Sequence, residues 1–463
     1  MTARASTAIL FILLSRQQGA DESGLFALAL SYVTLFSQVA FWGMDQILTR
    51  EVARDRSLAA HYLGSFILIR VTLASALYIA MIGLVLAGFR YPPDQAAAVL
   101  IAGVSVIFES VTNLCLALFV AFEQMRYQAV TKFIVGPLQI AAGVGVIVLG
   151  GGARELAMVV TGASLLSVMI NLSLVYRHFP HPTWVIDWRV WLPQLRGMFP
   201  FVLIGVFYTI EYQADALVLA QLGNSTAVGI YNAATTIFSA LLILVAAYRL
   251  AIFPVMSRLF VTNRPRFVWV YQKSFKYLLL ASLPMALTIG LAAAPGIRLL
   301  YKLGFDAAIP VTQILLVAFV LMMVNVPSAR VMVVANLQKW IAPLQGVTML
   351  LNIGLNLALI PRLGVLGPAW ARLASTGIYF TVMLILTQRC VVNCRLSDGL
   401  WQIGLASLAL IGATLGATAI ELPWVVSGLI GLAVYPIVLL ITHAITADEL
   451  SIFREIWNGR GAH

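Results

Sequence analysis

Charged residues are scarce in this chain. Only 10% of its 463 residues are Asp, Glu, Lys or Arg, whereas 61% are hydrophobic and the mean hydropathy is +0.95. Soluble globular domains carry about 25% charged residues and about 45–50% apolar ones. The composition therefore excludes a soluble domain and indicates a membrane protein.

Cysteine is also scarce, and the positive charge is not clustered. Three cysteines are too few for a disulfide framework in a chain of this length.

The formal net charge is +11, but the 29 Lys and Arg stand singly between apolar runs, which argues against a nucleic-acid-binding protein. No GxxxxGK[ST] occurs, and His178 and His181 have no Cys or carboxylate cluster beside them. We therefore predict no P-loop ATPase, no metal site and no cofactor.

Long apolar runs fill most of the chain. A spanning helix needs about 20 apolar residues, and in hydrocarbon its backbone must satisfy its own hydrogen bonds. About fourteen runs meet this requirement: 3–16, 24–44, 60–89, 96–122, 129–149, 155–176, 198–221, 227–256, 277–300, 308–335, 341–360, 366–388, 401–420 and 424–443. The first run is short, but no A-x-A cleavage pattern follows it, so we expect a helix there and not a signal peptide.

The charge of the loops predicts the orientation of the chain in the membrane, and the length of the loops bears on whether the protein is an enzyme. Most basic residues fall in the segments that are cytoplasmic if the N-terminus is cytoplasmic, so the positive-inside rule predicts both termini on that side. The opposite loops, such as YPPD and GGAR, are short. A membrane-embedded glycan ligase or polymerase usually builds its site from a large loop, so this rival function is disfavoured and no enzyme is expected.

The chain contains an internal repeat. SGLFALALSYVTLFSQVAFWGMDQILTREVARD from Ser23 resembles VGIYNAATTIFSALLILVAAYRLAIFPVMSRLF from Val228, at an offset of about 205 residues. LFVAFEQMRYQAV from Leu118 weakly echoes VMVVANLQKWIAP from Val331. Two related six-helix halves are a usual plan of secondary transporters. We expect an N-terminal lobe over 1–176, a cytoplasmic linker over 177–197, a C-terminal lobe over 198–388, and a final helix pair with a tail over 389–463.

Several motifs, in order and spacing, resemble one known family. They are LSRQQGADESGLFALALS, GMDQILTREVAR, DALVLAQLGNSTAVGIYNAA, FPVMSRLF and LYKLGFDAAIPVTQILLVAF. They are similar to the polysaccharide transporter family, whose best-known members are the O-antigen (Wzx-type) flippases. Its superfamily, the multidrug/oligosaccharidyl-lipid/polysaccharide exporters, also holds the lipid II flippase and the MATE exporters.

The resemblance implies an all-α, polytopic, two-lobed carrier. Such a carrier moves a polyprenyl-diphosphate-linked oligosaccharide across the bacterial inner membrane by alternating access, for O-antigen, capsule or exopolysaccharide synthesis. The partners expected from it are that lipid-linked oligosaccharide, membrane lipids, H⁺ or Na⁺, and glycan polymerase or assembly proteins. The rival within the same fold is a MATE-like, ion-coupled exporter of small cationic molecules.

Four arginines fall inside the predicted spans: Arg70, Arg249, Arg330 and Arg372. Each costs about 2.5–3.5 kcal/mol at a helix centre, so a lumen or a partner is expected. The spans place Arg70, Arg249 and Arg330 in the cytoplasmic half, where guanidinium groups could bind the diphosphate of the substrate in bidentate fashion. Static pairing with a helix-borne acid, snorkelling to the headgroups, or stabilising a lobe contact remain alternative roles.

Three acids also fall inside the spans. Glu211 and Asp215 are four residues apart and share one helix face, and Glu109 lies near the middle of another span. They are candidates for taking up a proton or Na⁺, because a carboxyl that alternates between a polar and an apolar environment can gain and lose charge. The alternative is a static ion pair or a hydrogen bond with Tyr212, Gln213 or a neighbouring helix.

Overall fold

The computed structural model describes residues 2–41, 43–89, 91–185, 188–302, 304–394, 396 and 399–444. These residues form sixteen α-helices joined by short turns, and no strand occurs among them. The helices are α1 (Thr2–Phe41), α2 (Met44–Arg54), α3 (Ala59–Gly83), α4 (Pro93–Gly103), α5 (Ser105–Ala121), α6 (Met125–Val148), α7 (Ala153–His178), α8 (Trp188–Leu222), α9 (Ser225–Thr262), α10 (Arg264–Leu291), α11 (Ala293–Tyr301), α12 (Ala308–Val334), α13 (Gln338–Leu363), α14 (Leu366–Cys390), α15 (Leu400–Ala419) and α16 (Trp424–Ile441).

Thirteen helical segments of the described residues are long and apolar enough to cross a membrane. They correspond to the predicted spans, except that the first two, 3–16 and 24–44, lie within one helix. That helix is interrupted at Gly19, whose φ of 83° and ψ of −167° are not helical. Glycine adopts such a conformation without steric cost because it has no Cβ. The predicted all-α, polytopic membrane fold is confirmed.

The basic segment after the second predicted span is helical, which sequence reasoning missed. In α2 the residues Met44, Ile47, Leu48 and Val52 are buried at helical spacing, whereas Arg54 is exposed. A helix with one apolar face and one charged face lies along a surface and does not cross the bilayer. Its sequence is too polar and too short to register as a spanning run.

The described chain forms two compact units. The first unit comprises Met1–Thr236, Leu300–Ala308 and Gln338–Ser375. Within it, α3 and α5 pack together, α5 packs on α7, and α8 packs on α13. Its main apolar cluster includes Tyr62, Phe66, Leu114, Phe119 and Phe179. The lobes predicted from the sequence are continuous stretches of the chain, 1–176 and 198–388, and their boundaries stay a prediction.

The second unit comprises Ile237–Leu299, Ile309–Leu337 and Thr376–His463. Here α15 and α16 pack together and both contact α10. One apolar cluster joins Ile403, Leu410 and Tyr435 to partly buried leucines of α10, and a second surrounds Phe267 and Tyr271. The predicted C-terminal tail after residue 444 lies outside the described residues.

Two glycines let α1 and α9 cross at close range in the first unit. A Cβ on Gly24 would overlap the carbonyl oxygen of Ser225, and a Cβ on Gly229 would overlap that of Ala20. The two contacts are reciprocal: Gly229 follows Gly24 by 229 − 24 = 205 positions, and Ser225 follows Ala20 by 225 − 20 = 205. This is the offset of the sequence repeat, so corresponding residues of the two repeats meet at one crossing.

Candidate functional site

The acids on α8 face α13 and α14 in the first unit. Glu211 and Asp215 are 6% and 0% exposed, so both carboxyl groups are withdrawn from the surface. Their spacing of four residues places them one above the other on the helix face that packs on α13. The sequence predicted this shared face, and the structure shows which neighbours meet it.

Asp215 accepts four hydrogen bonds. Nε and Nη2 of Arg372 donate to its Oδ2 over 3.0 and 2.7 Å, and the hydroxyl of Tyr231 donates to the same oxygen over 2.5 Å. Nδ2 of Asn356 donates to Oδ1 over 2.9 Å. Charge-assisted bonds of this kind are the strongest hydrogen bonds in proteins. Both oxygens of Asp215 are therefore occupied by donors, and the guanidinium of Arg372 lies beside it.

Arg372 also ties α14 to the backbone of α8. Its Nη2 donates to the carbonyl oxygens of Glu211 and Tyr212 over 3.1 and 2.9 Å. Its guanidinium carbon lies 4.9 Å from the centre of the Tyr212 ring, which adds a cation–π contact. The arginine is 4% exposed, so this pair is buried within the first unit.

Glu211 has a different environment from Asp215. Its Oε2 accepts one hydrogen bond, over 2.5 Å, from Nε2 of Gln345. The hydroxyl of Ser375 also lies within interaction range of this carboxyl. Among the described residues, no basic side chain forms an ion pair with Glu211, because the guanidinium of Arg372 is bonded to Asp215.

A stripe of polar side chains on α13 completes the network, and sequence reasoning missed it. The stripe consists of Gln345, Thr348, Asn352 and Asn356, all at least 94% buried. Asn356 donates to both the backbone and the side-chain oxygen of Asn352 over 3.0 Å, while its own Oδ1 is buried without a hydrogen-bond partner. The signal was present in the sequence: amides three or four positions apart within an apolar span mark one buried polar face.

Arg70 lies in a separate buried cluster of the first unit. Its side chain is fully buried, and Nη1 lies 2.8 Å from Oδ1 of Asp45. Nη1 and Nη2 donate to the carbonyl oxygens of Ser110 and Phe41 over 3.2 and 2.7 Å, and the Phe41 ring lies 5.3 Å from the guanidinium carbon. These contacts match the alternative of static pairing with an acid.

Arg249 and Arg330 lie near one another in the second unit. Arg249 on α9 is exposed and Arg330 on α12 is half-buried, and the two guanidinium groups interact electrostatically. Arg330 lies 5.7 Å from the Phe253 ring, and its Nε is buried without a hydrogen-bond partner. Among the described residues no carboxylate pairs with either arginine. The structure thus places two of the three predicted binding arginines together, with their charge uncompensated.

Glu109, the third acid, lies on α5 and faces α1. Its Oε2 accepts a hydrogen bond from Ser37 over 3.2 Å, and Asn113 donates to its carbonyl oxygen over 2.9 Å. No group of three or more His, Cys, Asp or Glu suited to a metal ion occurs in the described ranges. An ion-coupling role for Glu109 stays a prediction.

Comparison with known proteins places the chain in a family. Residues 2–260, more than half of the sequence, match the model of the family described as polysaccharide biosynthesis protein. The chain belongs to this family, as the resemblance of its motifs predicted. None of the curated protein sequences matches it.

Solved structures share its fold at low sequence identity. The lipid II flippase MurJ in an inward closed conformation superposes with a TM-score of 0.76 at 16% identity, over 95% of this chain and 97% of MurJ. An inward-facing multidrug resistance MATE family transporter gives a TM-score of 0.69 at 14% identity, over 84% and 95% of the two chains. A MOP superfamily transporter from Pyrococcus furiosus gives 0.55 at 14% identity, over 83% and 95%. The chain therefore shares its fold with these solved transporters.

Proposed function

We propose that this member of the polysaccharide biosynthesis protein family is a flippase for a polyprenyl-diphosphate-linked oligosaccharide. It acts as a carrier, by alternating access, in a bacterial inner membrane with both termini in the cytoplasm, and it serves surface polysaccharide assembly. The observation that carries the proposal is the arginine pair, Arg249 and Arg330, which has no acidic partner among the described residues.

Two neighbouring cations within membrane helices need an anion. Each unpaired arginine costs about 2.5–3.5 kcal/mol at a bilayer centre, and the repulsion between Arg249 and Arg330 adds to that cost. A diphosphate supplies negative charge and several acceptor oxygens within one small group. Guanidinium forks bind such oxygens two at a time and stay protonated at any physiological pH.

The partners of Arg70 leave it out of this proposed binding group. Its guanidinium already bonds Asp45 and two backbone carbonyls, and its side chain is fully buried. We assign Arg70 to the stability of the first unit.

A MATE-like exporter of cations is the second candidate, because its fold is shared. The arginine pair disfavours it. A cationic cargo near Arg249 and Arg330 would add a third positive charge to two that already repel each other. An anionic cargo would offset that repulsion. Family membership and the positive charge of the arginine pair therefore both favour an anionic, diphosphate-linked substrate.

The proposal is tested by reconstitution into liposomes that contain a polyprenyl-diphosphate-linked oligosaccharide. Flipping is measured as the fraction of glycan that becomes accessible to a membrane-impermeant glycosidase.

Loss of a hydrogen bond to a charged group costs about 1.5–3 kcal/mol. Arg330→Ala should therefore weaken binding of polyprenyl diphosphate by about 10–150-fold, and Arg330→Lys should recover part of it.

Arg258→Ala provides a matched control. Arg258 is also an exposed arginine of α9, so its removal changes net charge equally while leaving the pair intact. We expect wild-type binding and flipping from this variant. Wild-type flipping by an Arg249→Ala, Arg330→Ala double variant would overturn the assignment of the diphosphate to this pair.

A further inference from the structure

The ends of three membrane-spanning helices of the second unit form one basic surface. The helices are α9, whose apolar span ends at Thr262, α10, whose span begins at Arg264, and α14, whose span ends at Cys390. Arg264, Arg266 and Arg389 lie at these ends, and all three are exposed. These three arginines are the basic patch.

A buried apolar cluster fixes the positions of the three helix ends. Phe267 and Tyr271 of α10 are 0% exposed. They pack in one cluster with Met256 of α9 and with Val392, which follows α14. The backbone that carries the basic patch is therefore held by a packed core.

Arg264 is the member of the patch whose side chain is held in place. Its Nη2 donates to the carbonyl oxygen of Val391. Its guanidinium carbon lies 4.6 and 5.1 Å from the ring centres of Phe260 and Phe267. A guanidinium has five N–H donors, and among the described residues the other four have no acceptor. These four donors can bind a ligand without moving the side chain.

Negative charge is scarce around the basic patch. The stretches of the second unit over 237–299 and 309–337 contain no Asp or Glu. The one acid among the described residues of this unit is Glu421, in the turn after α15. Because α15 begins beside Lys276 and runs along α10 towards Leu291, Glu421 lies about 30 Å further from the patch than Lys276 does. Within the described ranges no carboxylate pairs with the patch.

The basic patch lies at the depth of the lipid headgroups. Its members are within two residues of the ends of membrane spans. Trp269 is 40% exposed and follows Arg266 by three positions, so the two side chains share one face of α10. Tryptophan is enriched where a membrane meets water, and long basic side chains near span ends extend to the headgroups. A phospholipid of the surrounding leaflet is therefore within reach of the patch.

We propose that the basic patch is a binding site for the headgroup of an anionic phospholipid. The free donors of Arg264 bind the phosphate oxygens, for which a guanidinium fork is well suited. Arg266 and Arg389 supply the charge that selects the headgroup. A zwitterionic headgroup carries the same phosphate together with an ammonium group, which these arginines repel.

Cys390 allows the lipid beside the patch to be identified. It follows Arg389 directly and is exposed, whereas Cys115 is buried, and Cys394→Ser removes the third thiol. A fluorophore on Cys390 of the full chain in nanodiscs is quenched by phospholipids that carry a nitroxide close to the headgroup. At equal mole fraction, nitroxide-labelled phosphatidylglycerol should quench more strongly than nitroxide-labelled phosphatidylcholine, and added salt should reduce the difference.

Variants of the patch should lose this preference. A basic residue near an anionic lipid surface contributes about five-fold to binding. An Arg264→Gln, Arg266→Gln double variant should therefore lower the preference for phosphatidylglycerol by about five-fold or more. Arg266→Gln alone changes only an exposed side chain and should lower it in a fully folded protein. The control is an Arg54→Gln, Arg56→Gln double variant, which removes the same charge from exposed positions of the first unit and should keep the full preference.

Several results would overturn the proposal. Equal quenching by the two lipids would leave the arginines with a role in orientation only, and an equal loss in the control would reduce the effect to net charge. Inorganic phosphate that abolishes the preference at constant ionic strength would assign the patch to a soluble anion. Displacement by polyprenyl diphosphate at a far lower mole fraction than by unlabelled phosphatidylglycerol would assign it to the transported lipid. The patch shares no residue with the arginine pair and the quenching involves no transport, so a failure of flipping would affect only the proposed function.

Discussion

The arginines inside the helices have two different environments. Arg70 and Arg372 are buried against a carboxylate and backbone carbonyls, whereas among the described residues Arg249 and Arg330 have no carboxylate partner, and Arg330 lies near Phe253 and Tyr379. Sequence reasoning could not separate these classes, because the partners of Arg70 and Arg372 come from other helices. Asp45 lies on α2 and Arg70 on α3, and Asp215 lies 157 positions before Arg372.

The buried pair of Arg70 makes a stability prediction. Arg70→Leu removes the hydrogen bonds of the guanidinium to two backbone carbonyls, and a hydrogen bond to a charged group contributes about 1.5–3 kcal/mol. Asp45, whose side chain is 33% exposed, stays partly solvated when its partner is removed. Arg70→Leu should therefore lower the free energy of unfolding by about 1.5–3 kcal/mol relative to the wild type, measured by thermal unfolding in detergent.

Arg54→Ala is the control for that measurement. Arg54 pairs with Glu51 over 3.8 Å at the surface of α2, and its side chain is 70% exposed. Surface pairs contribute about 0–1 kcal/mol, so little change is expected. Equal stability of the Arg70→Leu and Arg54→Ala variants would show that Arg70 is not held by a buried pair.

At the scale of helices, the crossing of α1 and α9 depends on the absence of two side chains. Gly24→Ala and Gly229→Ala would each drive a Cβ into a backbone carbonyl, which cannot move aside as a flexible side chain can. Overpacking of this kind costs about 1–3 kcal/mol. We expect both variants to unfold at lower temperature than the wild type.

Gly145→Ala on α6 is the matched control for the crossing. A Cβ at Gly145 would meet nothing within 4 Å, and alanine favours helix by about 1 kcal/mol over glycine. This variant should be as stable as the wild type or more stable. If Gly24→Ala behaves in the same way, the helices do not cross at the observed distance.

The helices themselves were largely predictable, and their interruptions were not. Apolar length alone located the spans, because a bilayer requires an unbroken helix of about 20 residues. The break at Gly19 and the surface helix α2 left weaker signals, since single glycines are common in membrane helices and α2 is polar on one face. The spacing of the amides in the polar stripe of α13 could have predicted one buried polar face, but only the structure shows that this face contacts α8.

At the scale of the whole molecule, the repeat and the loop charges make a topological prediction. Reporter fusions near Arg56 and Arg266 should be cytoplasmic, and fusions near Pro93 and Asn224 should be external, because basic loops remain inside. Cys390, which is exposed at the end of α14, should react with a permeant thiol reagent and resist an impermeant one added outside. Labelling of Cys390 from outside would reverse the proposed orientation.

The pairing of Asp215 with Arg372 also has a consequence for biosynthesis. The two residues are 157 positions apart, and the ribosome adds about 5–20 residues per second, so about 8–30 s separate their synthesis. During that interval α8 enters the membrane while its carboxylate has no countercharge. Until α14 emerges, α8 lacks the side chain that donates two of the four hydrogen bonds to Asp215. A chain that stops after α13 would therefore leave Asp215 in the membrane without the guanidinium group that pairs with it in the folded protein, an arrangement that costs free energy.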